Sequence, residues 1–108
     1  MIVDHVKLRL SAQKALLNNI FPNLRAVFVG PTEGEVLICF YIDGEISEED
    51  RKVCESVSKK ILSDVLHFIG AEENVHFNTP IVRLDFPNKM PLNGLWVYYR
   101  RENTAEYV

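Results

Sequence analysis

Between Leu37 and Asp50 the apolar run Leu37-Ile38-Cys39-Phe40-Tyr41-Ile42 gives way to a concentration of acid. Asp43, Glu45, Glu48, Glu49 and Asp50 fall within eight residues, with no Lys or Arg among them. The whole chain carries a formal net charge of only -3, so much of its negative field is local. Carboxylates at this density support three kinds of chemistry. Asp43, Glu45 and Glu49 are hard oxygen donors for a divalent cation, but Asp43-Gly44-Glu45 lacks the roughly twelve-residue ligand spacing of a calcium loop. Acids in the first turn of a helix oppose its macrodipole and need no ligand. On a folded surface the same acids steer a basic partner and can stand in for the phosphates that a nuclease contacts.

The other reactive side chains make no catalytic or metal pattern. His5, His67 and His76 lie far apart in the sequence. There is no His-x-x-x-His, no Cys-x-x-Cys, no phosphate-cradling glycine loop and no nucleophile elbow. No cofactor, metal site or enzymatic activity is expected on this basis. Cys39 lies in an apolar strand and Cys54 in a helical stripe, which suits buried, reduced thiols. Three aromatic residues are candidate contacts: Tyr41, lying opposite the main apolar face of its strand, and Trp96 and Tyr98 in the last strand. With Arg83 they are of the types enriched in binding hot spots, although cross-strand packing explains them equally well.

The elements that position these residues follow from periodicity. Val6, Leu10, Leu17 and Ile20 recur at spacings of four, seven and three, which predicts a first helix over about 4 to 20. Leu8, Ala12, Ala15 and Leu16 widen its apolar face. Pro22 ends it, and an extended run, Leu24 to Val29, follows. A turn at residues 30 to 34 leads to a second strand, about 35 to 43, apolar on both faces and hence central, so the two strands form an antiparallel hairpin. Ser47 is read as the N-cap of a second helix with Asp50 three residues on, and Val53, Val57, Ile61 and Val65 form its stripe as far as a stop at Gly70. A third strand spans Val75 to Phe86, divided by Pro80, which confines at least its first half to a sheet edge. Leu95 to Arg100 is the fourth, and residues 101 to 106 form a polar tail that frays. The predicted architecture is an α+β two-layer sandwich, order α-β-β-α-β-β: a four-stranded, largely antiparallel sheet with both helices on one face.

The chain has 108 residues, 47% hydrophobic and 25% charged, which matches one ordinary globular domain over 1–108. No apolar stretch approaches the roughly 18 residues of a membrane span, and the N-terminus lacks a secretory signal, so a cytoplasmic location without membrane contact is expected. A pI near 5.6 argues against direct binding of nucleic acid.

Beyond periodicity, a particular string stands out: Ala15-Leu16-Leu17, Pro22-Asn23-Leu24-Arg25-Ala26-Val27, Phe40-Tyr41-Ile42-Asp43-Gly44-Glu45 with Ser47-Glu48-Glu49-Asp50, Arg83-Leu84-Asp85, and Trp96-Val97-Tyr98 with Arg100-Arg101-Glu102. This set, spread over about residues 12 to 102, resembles the small bacterial immunity proteins of contact-dependent growth inhibition systems. The resemblance implies an inhibitor that binds the C-terminal toxic domain of a delivered effector, often an RNase or tRNase, in the cytoplasm. It carries no catalytic motif and specifies no interface residue. The partner surface expected from charge and residue type is therefore Asp43, Glu45, Glu48, Glu49 and Asp50 with Tyr41, Trp96 and Tyr98, facing a basic toxin domain. A general interaction or subunit-like module is the alternative reading, and a small enzyme a third.

Overall fold

The computed structural model describes residues 4–32, 35–69, 76–91 and 95–108. The elements in chain order are α1 (His5–Leu16), β1 (Leu24–Thr32), β2 (Glu35–Ile42), α2 (Glu48–Ile69), β3 (His76–Asn78), β4 (Ile81–Arg83), β5 (Leu95–Tyr99) and a 3-10 turn at Thr104–Glu106. The α+β class is as expected. Gly70, the link at 71–74 and the turn residues at 33–34 lie outside the described residues.

Helix α1 begins where the Asp4 carboxylate accepts hydrogen bonds from the backbone N–H groups of Val6 and Lys7. It ends at Leu16, four residues before the expected stop at 20. Asn18 takes the left-handed conformation, φ 65°, and the Asn19 amide donates to the Ala15 carbonyl at 2.9 Å, so the chain leaves the helix before Pro22 acts. Its buried face is Leu8, Ser11, Ala12, Ala15 and Leu16. The stripe of Val6, Leu10, Leu17 and Ile20 faces outward instead, 57%, 57%, 72% and 45% exposed. Both sets are periodic at helical spacing. The one rich in small residues faces inward, which permits close approach to α2 and the sheet.

Helix α2 matches its prediction closely. Ser47 Oγ accepts the Asp50 N–H at 3.0 Å, and Cys54, Val57, Ile61 and Val65 are buried. Val53, at the start of the expected stripe, is half-buried, and Leu66 on the same helix is 41% exposed. Strands β1 and β2 form the predicted antiparallel hairpin, but Gly30, Pro31 and Thr32 belong to β1, pairing with Leu37, Val36 and Glu35. The expected turn over 30 to 34 is correspondingly shorter.

The sheet departs from the expected four-stranded, largely antiparallel form. Its order is β3-β2-β1-β5, with β4 also paired to β2, so five strands form a mixed sheet. Strands β3 and β4 lie in line along one edge of β2, separated at Pro80, and both run parallel to it. Helix α2 is the reason. Its 22 residues span about 33 Å, enough to carry the chain back along the eight residues of β2, so the next strand starts from the same end.

Each sheet face has its own core. On the helical side Leu8, Leu16, Leu24, Val27, Ile38, Phe40, Ile42, Val57 and Ile61 pack together. On the other, Ala26, Phe28, Cys39 and Tyr41 are buried with Met90, and Val82, Leu84 and Trp96 pack around them. That second face, expected to be open, is covered by the chain after β4. Both cysteines are buried and free, and burial raises both thiols above their ordinary range, Cys54 to about 12.

Candidate functional site

Two β-bulges decide what the sheet presents. Between Val27 and Phe28 the pairing of β1 with β5 slips by one residue. A one-residue slip moves the following side chains to the opposite face. Trp96 therefore stands beside Phe28, their rings 5.3 Å apart, whereas Tyr98 packs into the helical core. Tyr99, not Tyr98, is the neighbour of Trp96, at 5.3 Å. Tyr41 stacks on Phe28 at 5.7 Å and is only 8% exposed; burial raises its phenol to about 12. The expected display of Tyr41, Trp96 and Tyr98 on one open surface does not form. Strict alternation put Trp96 and Tyr98 together, and the bulge separates them.

The second bulge falls at Arg25, between the paired residues Leu24 and Ala26 of β1. It turns this side chain into the interior, where it is fully buried. Glu102 meets it with a two-pronged salt bridge, Nε to Oε2 and Nη2 to Oε1, both 2.8 Å, and the Leu84 carbonyl accepts from Nη1 at 2.6 Å. The rings of Phe86 and Tyr107 flank the guanidinium at 5.7 and 5.8 Å. Arg100 bridges Glu102 to Asp43, and the Tyr107 hydroxyl donates to Glu102. Burial opposes the charge on Glu102, but the hydrogen bonds from Arg25, Tyr107 and Arg100 outweigh it and hold the carboxyl down to about 2. Its hydrogen bonds to Glu102 raise Arg25 against the effect of burial. The tail expected to fray is thus tied down: Glu102 is 2% exposed in its side chain.

This network abuts the acid run. Asp43 accepts the Phe86 N–H at 3.2 Å and Arg100 Nη2 at 3.1 Å, so its charge is answered within the fold. Asp85 accepts the Gly44 N–H at 2.7 Å and both arms of Arg83. Gly44, at φ 82°, supplies a backbone conformation that other residues resist. The hydrogen bond from Arg83 lowers Asp85, and the one to Asp85 raises Arg83, with Glu45 and Asp43 adding to the field on Arg83. The run lacks basic residues in sequence but acquires Arg83 and Arg100 in space. Arg83 is matched by Asp85, and Arg100 is shared by Asp43 and Glu102. Glu45, Glu48 and Glu49 stay exposed and Asp50 is half-buried at the helix start, so acidic charge is concentrated at this pole, with Arg51 and Lys52 exposed directly after it.

Such a pole can attract a basic surface by field and hydrogen bonding. Among the described residues no three His, Cys, Asp or Glu side chains converge as a metal site. No helix among them is long and apolar enough to cross a membrane. Reading by spacing found the acids but missed Arg25, Arg100, Glu102 and Tyr107 as one cluster. The available signal was Arg25 itself, a charge inside an apolar strand.

A family model for MafI2 immunity protein matches residues 5–102 of the chain. No curated protein matches it.

Proposed function

The chain belongs to the MafI2 immunity protein family, and from that membership we propose that it binds the toxic domain of a cognate bacterial effector in the cytoplasm and neutralises it by occlusion, without catalysis. The toxin in this reading is a nuclease acting on RNA, with a basic substrate-binding surface. The observation that supports an electrostatic contribution is the exposure of Glu45 just before α2 and of Glu48 and Glu49 in its first turn. Carboxylates fixed on a rigid helix start raise the encounter rate with a basic partner. Asp43 and Asp50 contribute to the same field. Trp96 is left as a half-buried neighbour of Phe28, and the buried Tyr41 and inward-facing Tyr98 act as supports for the sheet.

The test is co-expression with the toxin domain encoded beside this gene. Rescue of growth together with a co-purified complex is expected, and a toxin that kills despite abundant folded protein would refute the reading. In the complex, Glu48→Lys/Glu49→Lys should slow association about tenfold at low salt, with little change in dissociation. Added salt should shrink the difference. Unchanged association at low salt would reduce the acid run to helix capping.

A further inference from the structure

Among the described residues, the large apolar side chains left in solvent are Val6 and Leu10 on α1, Leu17 and Ile20 just after it, Leu66 and Phe68 on α2, and Tyr99 and Val108 elsewhere. Leu10 and Phe68 line a cleft of about 380 Å³ between α1 and the last turns of α2, together with Lys7, Ser11, Lys14, Asp64 and His67. A smaller hollow of about 190 Å³, lined by Val6, Arg9, Leu10 and Gln13, adjoins it through Leu10. The Lys7 ammonium lies 5.8 Å over the Phe68 ring. Helix α1 carries Lys7, Arg9 and Lys14 and no acidic residue from His5 to Leu16. Asp64, the one carboxylate lining the cleft among the described residues, accepts the Ser11 hydroxyl at 2.6 Å. On a chain of net charge -3 this surface has the opposite sign to the whole. It lies toward the far end of α2 from the acid pole, about 24–30 Å along the helix from Glu48 to Asp64 and Phe68.

We infer that this basic-flanked apolar cleft is the surface that holds the toxin, taking an acid-flanked segment whose apolar side chain fills the space between Leu10 and Phe68. The inference rests on the reading of the chain as a toxin-binding protein. Charge sign selects the occupant. A second copy applied face to face would bring Lys7, Arg9 and Lys14 against their own kind, which disfavours a symmetric pair. A concave cleft suits a protruding side chain better than a flat lipid surface does. Desolvated apolar anchors in the cleft then govern how long the complex lasts.

The experiment measures association and dissociation of the co-purified toxin domain with wild type, Leu10→Asp, Leu10→Ala and Lys7→Glu/Lys14→Glu, after circular dichroism has established an unchanged fold. These positions are exposed, so folding should survive. Leu10→Asp and the double charge reversal should each speed dissociation by about 30-fold or more, with Leu10→Ala between them and wild type. Wild-type dissociation rates in all three variants would overturn the inference while leaving toxin binding intact, whereas failure of wild type to bind at all is failure of the functional reading. Two further outcomes would also overturn it: a dimer of the free protein that Leu10→Asp dissolves, and co-sedimentation with phosphatidylglycerol vesicles that the same variant abolishes.

Discussion

Replacing Glu102 by Gln should be among the most damaging conservative changes in this chain. The carboxylate is buried at the centre of four charge-assisted nitrogen contacts, two from Arg25 and two from Arg100, and a fifth hydrogen bond from Tyr107. An amide can accept only some of these and leaves the Arg25 guanidinium, wholly buried, without a counter-charge. Breaking a buried ion pair on one side costs about 3–5 kcal/mol. The depression of Glu102 from 4.5 to about 2 gives a similar figure, about 3 kcal/mol at roughly 1.4 kcal/mol per tenfold change in acidity. Because the folded-state value is lowered, this stability is present above about 4.5 and is lost as the pH falls toward about 2. Urea unfolding at pH 7 should show Glu102→Gln less stable by about 3 kcal/mol, and the gap from wild type should close between pH 4.5 and about 2. Taking the difference between the two proteins removes the titration of every other carboxylate. A gap under about 1 kcal/mol at pH 7, or one that persists unchanged at the acid end, would refute the reasoning. Arg25→Met/Glu102→Leu should recover much of the loss, since an apolar pair leaves no orphaned charge.

Two further outcomes test the helical layer. Ser47→Ala should cost about 1 kcal/mol in denaturation at pH 7, because it removes the acceptor of the Asp50 N–H; an unchanged midpoint would count against the cap. Ile61→Ala, at a fully buried position between α2 and the sheet, should cost roughly 2–5 kcal/mol, and a smaller loss would show that the core collapses around the vacancy.

Local chemistry made much of this protein legible. The acid-capped start of α2, its stripe of Cys54, Val57, Ile61 and Val65, the β1–β2 hairpin and the division of an edge strand at Pro80 all follow from interactions within a few residues. Helix capping, side-chain periodicity and the missing proline N–H act over that range. The string of residues resembling immunity proteins likewise needed no coordinates, and the match over residues 5–102 agrees with it.

Tertiary structure decided the rest. Over the predicted first helix two apolar stripes had equal periodicity, and packing against α2 and the sheet selected Leu8, Ala12, Ala15 and Leu16 and left Val6 and Leu10 in solvent, with Leu17 and Ile20 exposed beyond the helix end. Two bulges, which arise from pairing between strands, sent Tyr98 away from Trp96 and turned Arg25 inward to Glu102. The partners Arg25 and Glu102 are separated by 77 positions. Periodicity along the chain carries no term for such a contact, because the free energy that makes a buried arginine tolerable comes from a carboxylate that only the folded sheet brings within 2.8 Å.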